Sequence, residues 1–315
     1  MTASDCISGL TADSSLEEGV EAFLEHLEKE RNYALYTLDG YRRDLQQFAR
    51  FLYPRVRDMR LPLRTIQRDV IQSFLEEQEA RGRRPRTLAR KLAAIRSLFR
   101  YFCRERVLAV NPAASFESPK DFSPPPTVLG IGAVEEAIKG PSLEGFRGIR
   151  DRMILEIFYG AGLLLGELVG LNLSALNKVE GTVQVGGRAR IVPLGRKAVE
   201  TLEVYLQKRA DLLVDLDITQ VDVGALFLNT RGKRLHRRTV QRLVKIHLGA
   251  ISQDVSLSPQ LLRRSCATHM LEAGADAGAV RALLGRATET VSQIQTTADP
   301  EHLRRIYEKA HPRSS

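Results

Sequence analysis

The stretch RGRRPRTLARKLAAIRSLFRYFCRER, residues 81–106, decides the architecture of the first half of the chain. Leu88, Leu92, Ile95, Leu98, Phe99 and Phe102 recur at helical spacing and form one apolar face. Arg86, Arg90, Arg96, Arg100 and Arg104 fall largely off that face, and the stretch holds ten basic residues against one acid, Glu105. Pro85 suits the first turn of the helix, where a missing N–H costs nothing. Working backwards, Gly82 ends a helix that starts at Thr65 and reads IQRDVIQSFLEEQEARG. Before it, Leu38, Tyr41, Leu45, Phe48 and Leu52 mark a helix that starts after Thr37 and is closed by Pro54. Ser15 is the expected N-cap of a first helix, LEEGVEAFLEHLEKER, which presents Val20, Phe23, Leu24 and Leu27 on one side. Four amphipathic helices over roughly 100 residues make an all-α unit, preceded by a polar tail at residues 1–13.

Asn111 and Pro112 stop the fourth helix, and ESPKDFSPPPTV, residues 117–128, reads as an extended linker. The expected division is therefore a helical domain at 14–116, the linker at 117–128 and a second domain at 129–315. The second domain opens with the helical runs IGAVEEAI and GIRDRMILEIFYGAGLLLGELVGL. Two strand-like runs follow, VEGTVQV and RARIVPLG, with Gly186 and Gly187 between them as a tight hairpin. Helical patterns then return in KAVETLEVYLQKRA, RRTVQRLVKIHLGA, PQLLRRSCATHMLEAG and DAGAVRALLG. The fold class is mainly α with a small β-sheet or hairpin.

The chain has 315 residues, enough for two domains, and its 43% hydrophobic residues can fill two cores. No run of about 18 apolar residues suggests a membrane span, and MTASDCISGL lacks the pattern of a secretory signal. Cys6, Cys103 and Cys266 are scattered, which argues against a disulfide framework or a zinc site and fits a reducing, cytoplasmic compartment. The net charge is +9. Because part of that charge is concentrated in residues 81–106, a polyanion is the expected partner, with a solvated basic face as the alternative.

The chain resembles the tyrosine recombinases of the phage integrase family, of the Xer (XerC/XerD) type. The resemblance rests on YTLDGYRRDLQQFARFL, on RPRTLARKLAAIRSLFRYFCRERVLAVNPA and on SPK in the first half. In the second it rests on GAGLLLGEL, ARIVPLG, LFLNTRGKRLHRRTVQRLV, LLRRSCATHMLEAGADAGAVRALLG and LRRIYEKAHPR. It implies an N-terminal core-binding, SAM-like domain and a C-terminal catalytic-type domain that clamp duplex DNA between them. Active relatives cut one strand with a tyrosine, form a 3′-phosphotyrosyl link and reverse it, without metal or nucleotide cofactor. Two arginines then stabilise the charge that develops on the phosphorane, a hairpin lysine protonates the leaving oxygen, and histidines position protons.

Against that pattern the chain keeps little. Leu164 stands at the first arginine's place in Gly162-Leu163-Leu164-Leu165-Gly166-Glu167-Leu168, and leucine carries neither charge nor donor. The hairpin VQVGGRARIVPLG matches at Arg190, Val192, Pro193 and Leu194 but holds no lysine; Arg188 is its nearest cation to the missing one. In the second box, Gln260-Leu261-Leu262-Arg263-Arg264, Arg263 is the retained family arginine, while Gln260 and Arg264 replace two histidines. Arg286 replaces the third histidine, and Gln295 stands where the nucleophile belongs, although an amide forms no phosphotyrosyl bond. Tyr307 is the nearest alternative nucleophile, set against a packed role in the tail motif; Tyr159 and His269 read as core, and His302 and His311 show no metal spacing.

The resemblance also implies which residues touch DNA. In the first domain these are Arg42, Arg43, Arg83, Arg84, Arg86, Arg90, Lys91 and Arg96. In the second they are Lys233, Arg234, Arg237, Arg238 and Arg242, with Thr239 capping or touching phosphate and Arg264 and Arg286 at the old scissile position. Most of these are expected to set register on phosphates rather than read bases. The tail is expected to dock on a neighbouring subunit, in a homo-oligomer or beside an active recombinase. Four functions remain open at this level: a non-cleaving DNA-binding partner, an active recombinase with a rearranged site, a DNA-binding regulator outside recombination, and a product without a role.

Overall fold

The computed structural model describes residues 9–31, 33, 35–52, 62–118, 128–186, 190–214, 216–251, 257–285 and 300–314. The chain forms two compact units, residues 1–124 and 125–315. The first holds helices α1 (Leu16–Lys29), α2 (Leu35–Leu52), α3 (Arg68–Ala80) and α4 (Pro85–Arg104). Ser15 caps α1 as expected: its Oγ accepts the Glu18 N–H at 3.3 Å, and Glu18 Oε2 accepts the Ser15 N–H at 2.8 Å. The apolar faces of the four helices meet in one core around Phe23, Phe48, Phe74, Ile95, Phe99 and Phe102. Each such side chain contributes about 1.5–3 kcal/mol when withdrawn from water. Gly19 is what lets α1 and α4 approach, because a Cβ there would come within 2.6 Å of the Phe102 ring.

The start of one helix differs from the sequence reading. The third helix begins at Arg68 rather than Thr65; Leu63–Thr65 form a single 3₁₀ turn, and Ile66 is extended with its side chain buried. Core burial of Ile66 overrides the helical pattern there. The closing role assigned to Pro54 lies outside the described residues, as do the Arg188, Arg286 and Gln295 positions.

The second unit opens with α5 (Ile131–Lys139) and α6 (Gly145–Gly160). Unlike the other helices α6 is buried on nearly all sides from Ile149 onwards, so it forms the centre of this core. The apolar run after it does not continue as one helix. Gly162 takes φ +57, where side-chain-bearing residues are strained, and the chain restarts as the short α7 (Leu165–Gly170). A three-stranded antiparallel sheet follows, β1 (Leu176–Asn177), β2 (Thr182–Val185) and β3 (Arg190–Pro193), in that order. Val185 pairs with Arg190, so four residues separate the paired ends of β2 and β3 instead of a two-glycine turn. Then come α8 (Arg196–Val214), α9 (Arg237–Gly249), α10 (Pro259–Glu272), α11 (Ala277–Leu284) and α12 (Pro300–Ala310).

The tail helix α12 packs on β3, α10 and α11 of its own chain. Tyr307 joins the core with only 2% of its surface exposed. Its ring stacks on His311, at 4.5 Å between centroids, and the Arg313 guanidinium closes on the buried Glu156 carboxylate through both oxygens. Among the described residues no helix is long and apolar enough to cross a membrane.

Candidate nucleic-acid interface

Four segments of the second unit converge on one place: the Gly162–Glu167 loop, the start of β3, the first turns of α10 and the end of α11. Leu164, the N-cap of α7, leaves 38% of its surface exposed, so the position where the resemblance expects a cation presents an aliphatic side chain to solvent. Glu167 ties this loop together. Its Oε2 accepts the Leu164 N–H at 2.7 Å, and its two oxygens accept Arg190 Nη1 at 2.7 Å and Nη2 at 2.9 Å. Burial pushes the Glu167 carboxyl up, but Arg190 and the Leu164 N–H outweigh it and hold the group below the usual carboxylate range. Arg190 Nε donates to the Leu283 carbonyl at 2.9 Å.

Arg263 is 4% exposed and works in the same way. Its Nη1 donates to the Gly162 carbonyl and its Nη2 to the Leu284 carbonyl. Leu283 and Leu284 end α11, and Gly285 follows at φ +66. Two arginine side chains therefore satisfy carbonyls that a helix C-terminus leaves without partners. Gln260 is exposed on the first turn of α10, and Arg264, half-buried beside Arg263, has an Nε with no hydrogen-bond partner among the described residues. Tyr307, the alternative nucleophile of the sequence reading, lies in the core. Its hydroxyl is buried with no hydrogen-bond partner among the described residues, and burial pushes the phenol well above its ordinary value. Tyr159 likewise is core, its hydroxyl 2.9 Å from His269 Nδ1. Burial pushes the Cys266 thiol up to about 12, which leaves it inert. No group of three or more His, Cys, Asp or Glu poised for a metal occurs among the described residues.

Sequence profiles match the chain twice: the phage integrase family over residues 135–302, and the phage integrase N-terminal SAM-like domain over residues 20–106. The chain belongs to the phage integrase family. Among relatives of this integrase-family chain, a tyrosine recombinase XerC of Pelobacter propionicus is 37% identical over 302 residues, covering 95% of this chain and 97% of that one. Two solved integrase-family structures share the fold. The XerH site-specific recombinase bound to palindromic difH, a post-cleavage complex, has a TM-score of 0.64 at 20% identity, covering 92% of this chain and 84% of that one. A lambda integrase tetramer bound to a Holliday junction has a TM-score of 0.64 at 18% identity, covering 90% and 78%.

The sequence-predicted DNA contacts of this integrase-family chain separate by what their side chains already do. Arg83, Arg84 and Arg86 are exposed at the start of α4, and Lys233, Arg237, Arg238 and Arg242 are exposed at and before α9. Arg42 is paired with Glu21 at 3.1 Å, Arg43 donates to the Asp39 carbonyl at 3.0 Å, and Arg90 is paired with Asp44, yet all three remain exposed. Three others hold contacts inside the chain. Lys91 is 2% exposed, with its amino group on Asp44 and Gln47. Arg96 donates to the Ala113 and Phe116 carbonyls, at 3.2 and 2.6 Å, and holds the segment after α4 against it. Arg234 donates to the Val169 and Leu171 carbonyls, both at 3.0 Å, and pairs with Asp222 at 3.1 Å. Sequence reasoning also passed over Glu167 and Arg190 as a pair; the signal available was an acid and an arginine inside the two motifs that flank the vacated position.

Proposed function

We propose that this chain binds duplex DNA as a non-cleaving member of the tyrosine recombinases, serving as a structural or regulatory partner in site-specific recombination. The observation that carries the reading is the state of the cleavage positions. Leu164 and Gln260 supply no cation or histidine, Gln295 supplies no phenol, and Arg263 is spent on two main-chain carbonyls. Phosphoryl transfer depends on fixed donors at the developing charge, and groups that act as a unit lose most of their effect when any one is lost. Support for retained binding comes from the exposed cations: Arg83, Arg84 and Arg86 on the first unit, and Lys233, Arg237, Arg238 and Arg242 on the second. Arg42, Arg43 and Arg90 join them if DNA phosphates displace their present partners. Arg264 and Arg286 would add charge at the old scissile phosphate. Double-stranded DNA is the partner in this reading, in a homo-oligomer or beside an active recombinase.

A second reading, an active recombinase with a displaced nucleophile, is favoured by the 37% identity to a protein named tyrosine recombinase XerC. A nicked suicide duplex separates the two. Selection from random DNA first yields a bound duplex. A retarded complex with no band surviving SDS supports binding without cleavage, and a covalent band supports the enzyme.

A further inference from the structure

In the first unit a buried acid of α2 meets the basic helix α4. Asp44 is 2% exposed, and its carboxylate faces two cations of α4. Oδ1 lies 3.4 Å from the Lys91 ammonium, which is itself 2% exposed and donates to Gln47 Oε1. Oδ2 accepts from Nη1 of Arg90, whose side chain keeps 56% of its surface in solvent. We propose that Asp44 is the positioning residue for Arg90: balanced in the core by Lys91, its carboxylate holds the exposed guanidinium in place for a DNA phosphate. This rests on the DNA-binding reading and names the residue that orients one of its cations.

Charge balance separates the two contacts. A buried carboxylate needs one counter-charge, and Lys91 supplies it where water is excluded. The Arg90 contact is surplus to that need. The three groups together keep one positive charge, and it lies on the exposed member. For Arg90, phosphate binding therefore needs no displacement of Asp44, since a guanidinium has five N–H donors and the contact uses Nη1. Its neighbours explain the need for an anchor. Arg86 lies one turn earlier on the same face of α4, and like charges at that spacing repel. Burial lowers the Lys91 pKa and Asp44 raises it, while Arg90 and Arg83 oppose its charge, which places Arg83 near the same pair. Without Asp44 these guanidiniums would spread apart, and a guanidinium already held in place loses less freedom when phosphate binds.

The test measures affinity for the selected duplex by anisotropy, with thermal melts confirming that each variant folds. Arg90→Gln is expected to weaken binding about tenfold, the scale of one charge-assisted hydrogen bond. Asp44→Leu combined with Lys91→Met replaces the buried pair by apolar groups and leaves the net charge unchanged, a change that folded cores tolerate. It is expected to weaken binding about threefold to tenfold, the cost of ordering one freed arginine. In an Arg90→Gln background the same pair of substitutions is expected to cost less than about twofold more, because the residue it positions is gone. Asp44→Asn combined with Lys91→Gln keeps polar groups in place, serves if the apolar pair does not fold, and is expected to show the same dependence on Arg90. A loss of equal size with and without Arg90 marks a merely structural pair and overturns the inference alone. So does wild-type affinity in Arg90→Gln or in the pair variant. Failure of the wild type to bind any duplex overturns the DNA-binding reading and this inference with it.

Discussion

Arg263 stands where the family resemblance places an arginine, and in the folded chain it braces two main-chain carbonyls. Removing the guanidinium leaves the Gly162 and Leu284 carbonyls without these donors in a buried place, at about 1–3 kcal/mol each. Arg263→Ala is therefore expected to cost the C-terminal unit about 2–5 kcal/mol in urea unfolding. If the folded fraction of that variant loses DNA affinity instead, Arg263 is a phosphate ligand and not a brace. The reverse substitution is equally informative: Gln295→Tyr alone is expected to give no covalent complex on a nicked duplex, since Leu164 and Gln260 still supply nothing. At this scale the identity of each motif residue was legible in the sequence. The use of Arg263 and Arg190 was not, because their partners are main-chain carbonyls whose positions depend on how α11 ends. Lys91 misled for a related reason. It lies in the basic run, but the turn of α4 aims it at Asp44 in the core, where burial lowers its pKa against the pull of that carboxylate.

Elements were legible where local chemistry and burial agree. Ser15 with Glu18, and Pro85, mark helix starts that packing also favours. Thr65 and the run after Gly160 were misread because a buried Ile66 and a left-handed Gly162 outrank helical periodicity. The tail helix α12 is the element with the clearest energetic signature. The Glu156–Arg313 pair is buried on both sides, and breaking such a pair costs about 3–5 kcal/mol. Glu156→Ala is expected to lower the melting temperature of the C-terminal unit by several degrees and to speed proteolysis after α11; an unchanged melt and digestion pattern would show that the tail is not held there. His311 adds a pH dependence. Burial, with Arg313 and His269 nearby, lowers its pKa to about 3, so the folded state keeps it neutral while the unfolded chain protonates near its ordinary value. Its contribution is full above about pH 6.5 and is lost as pH falls from there towards about 3, which is about 2 kcal/mol by pH 5. Melts between pH 7 and pH 5 should show this slope, and His311→Phe should flatten it.

At the scale of the whole molecule, the net charge of +9 and the exposed cations on both units set the expected mode of binding. Contacts of this kind release counterions, so affinity should fall steeply with salt, and replacing Arg83, Arg84 and Arg86 by Gln should flatten that slope by up to about three. The two-unit division, the helical class and the family were legible before any coordinates. The internal contacts of the basic residues were not, since Arg96 and Arg234 bind carbonyls that only the folded chain brings to them. The central claim, binding without cleavage, is tested most directly by a nicked suicide duplex carrying the selected site. The account predicts a retarded complex that dissolves in SDS. An SDS-resistant band that disappears on Tyr307→Phe would contradict it, and would mean that this buried phenol leaves the core to attack DNA.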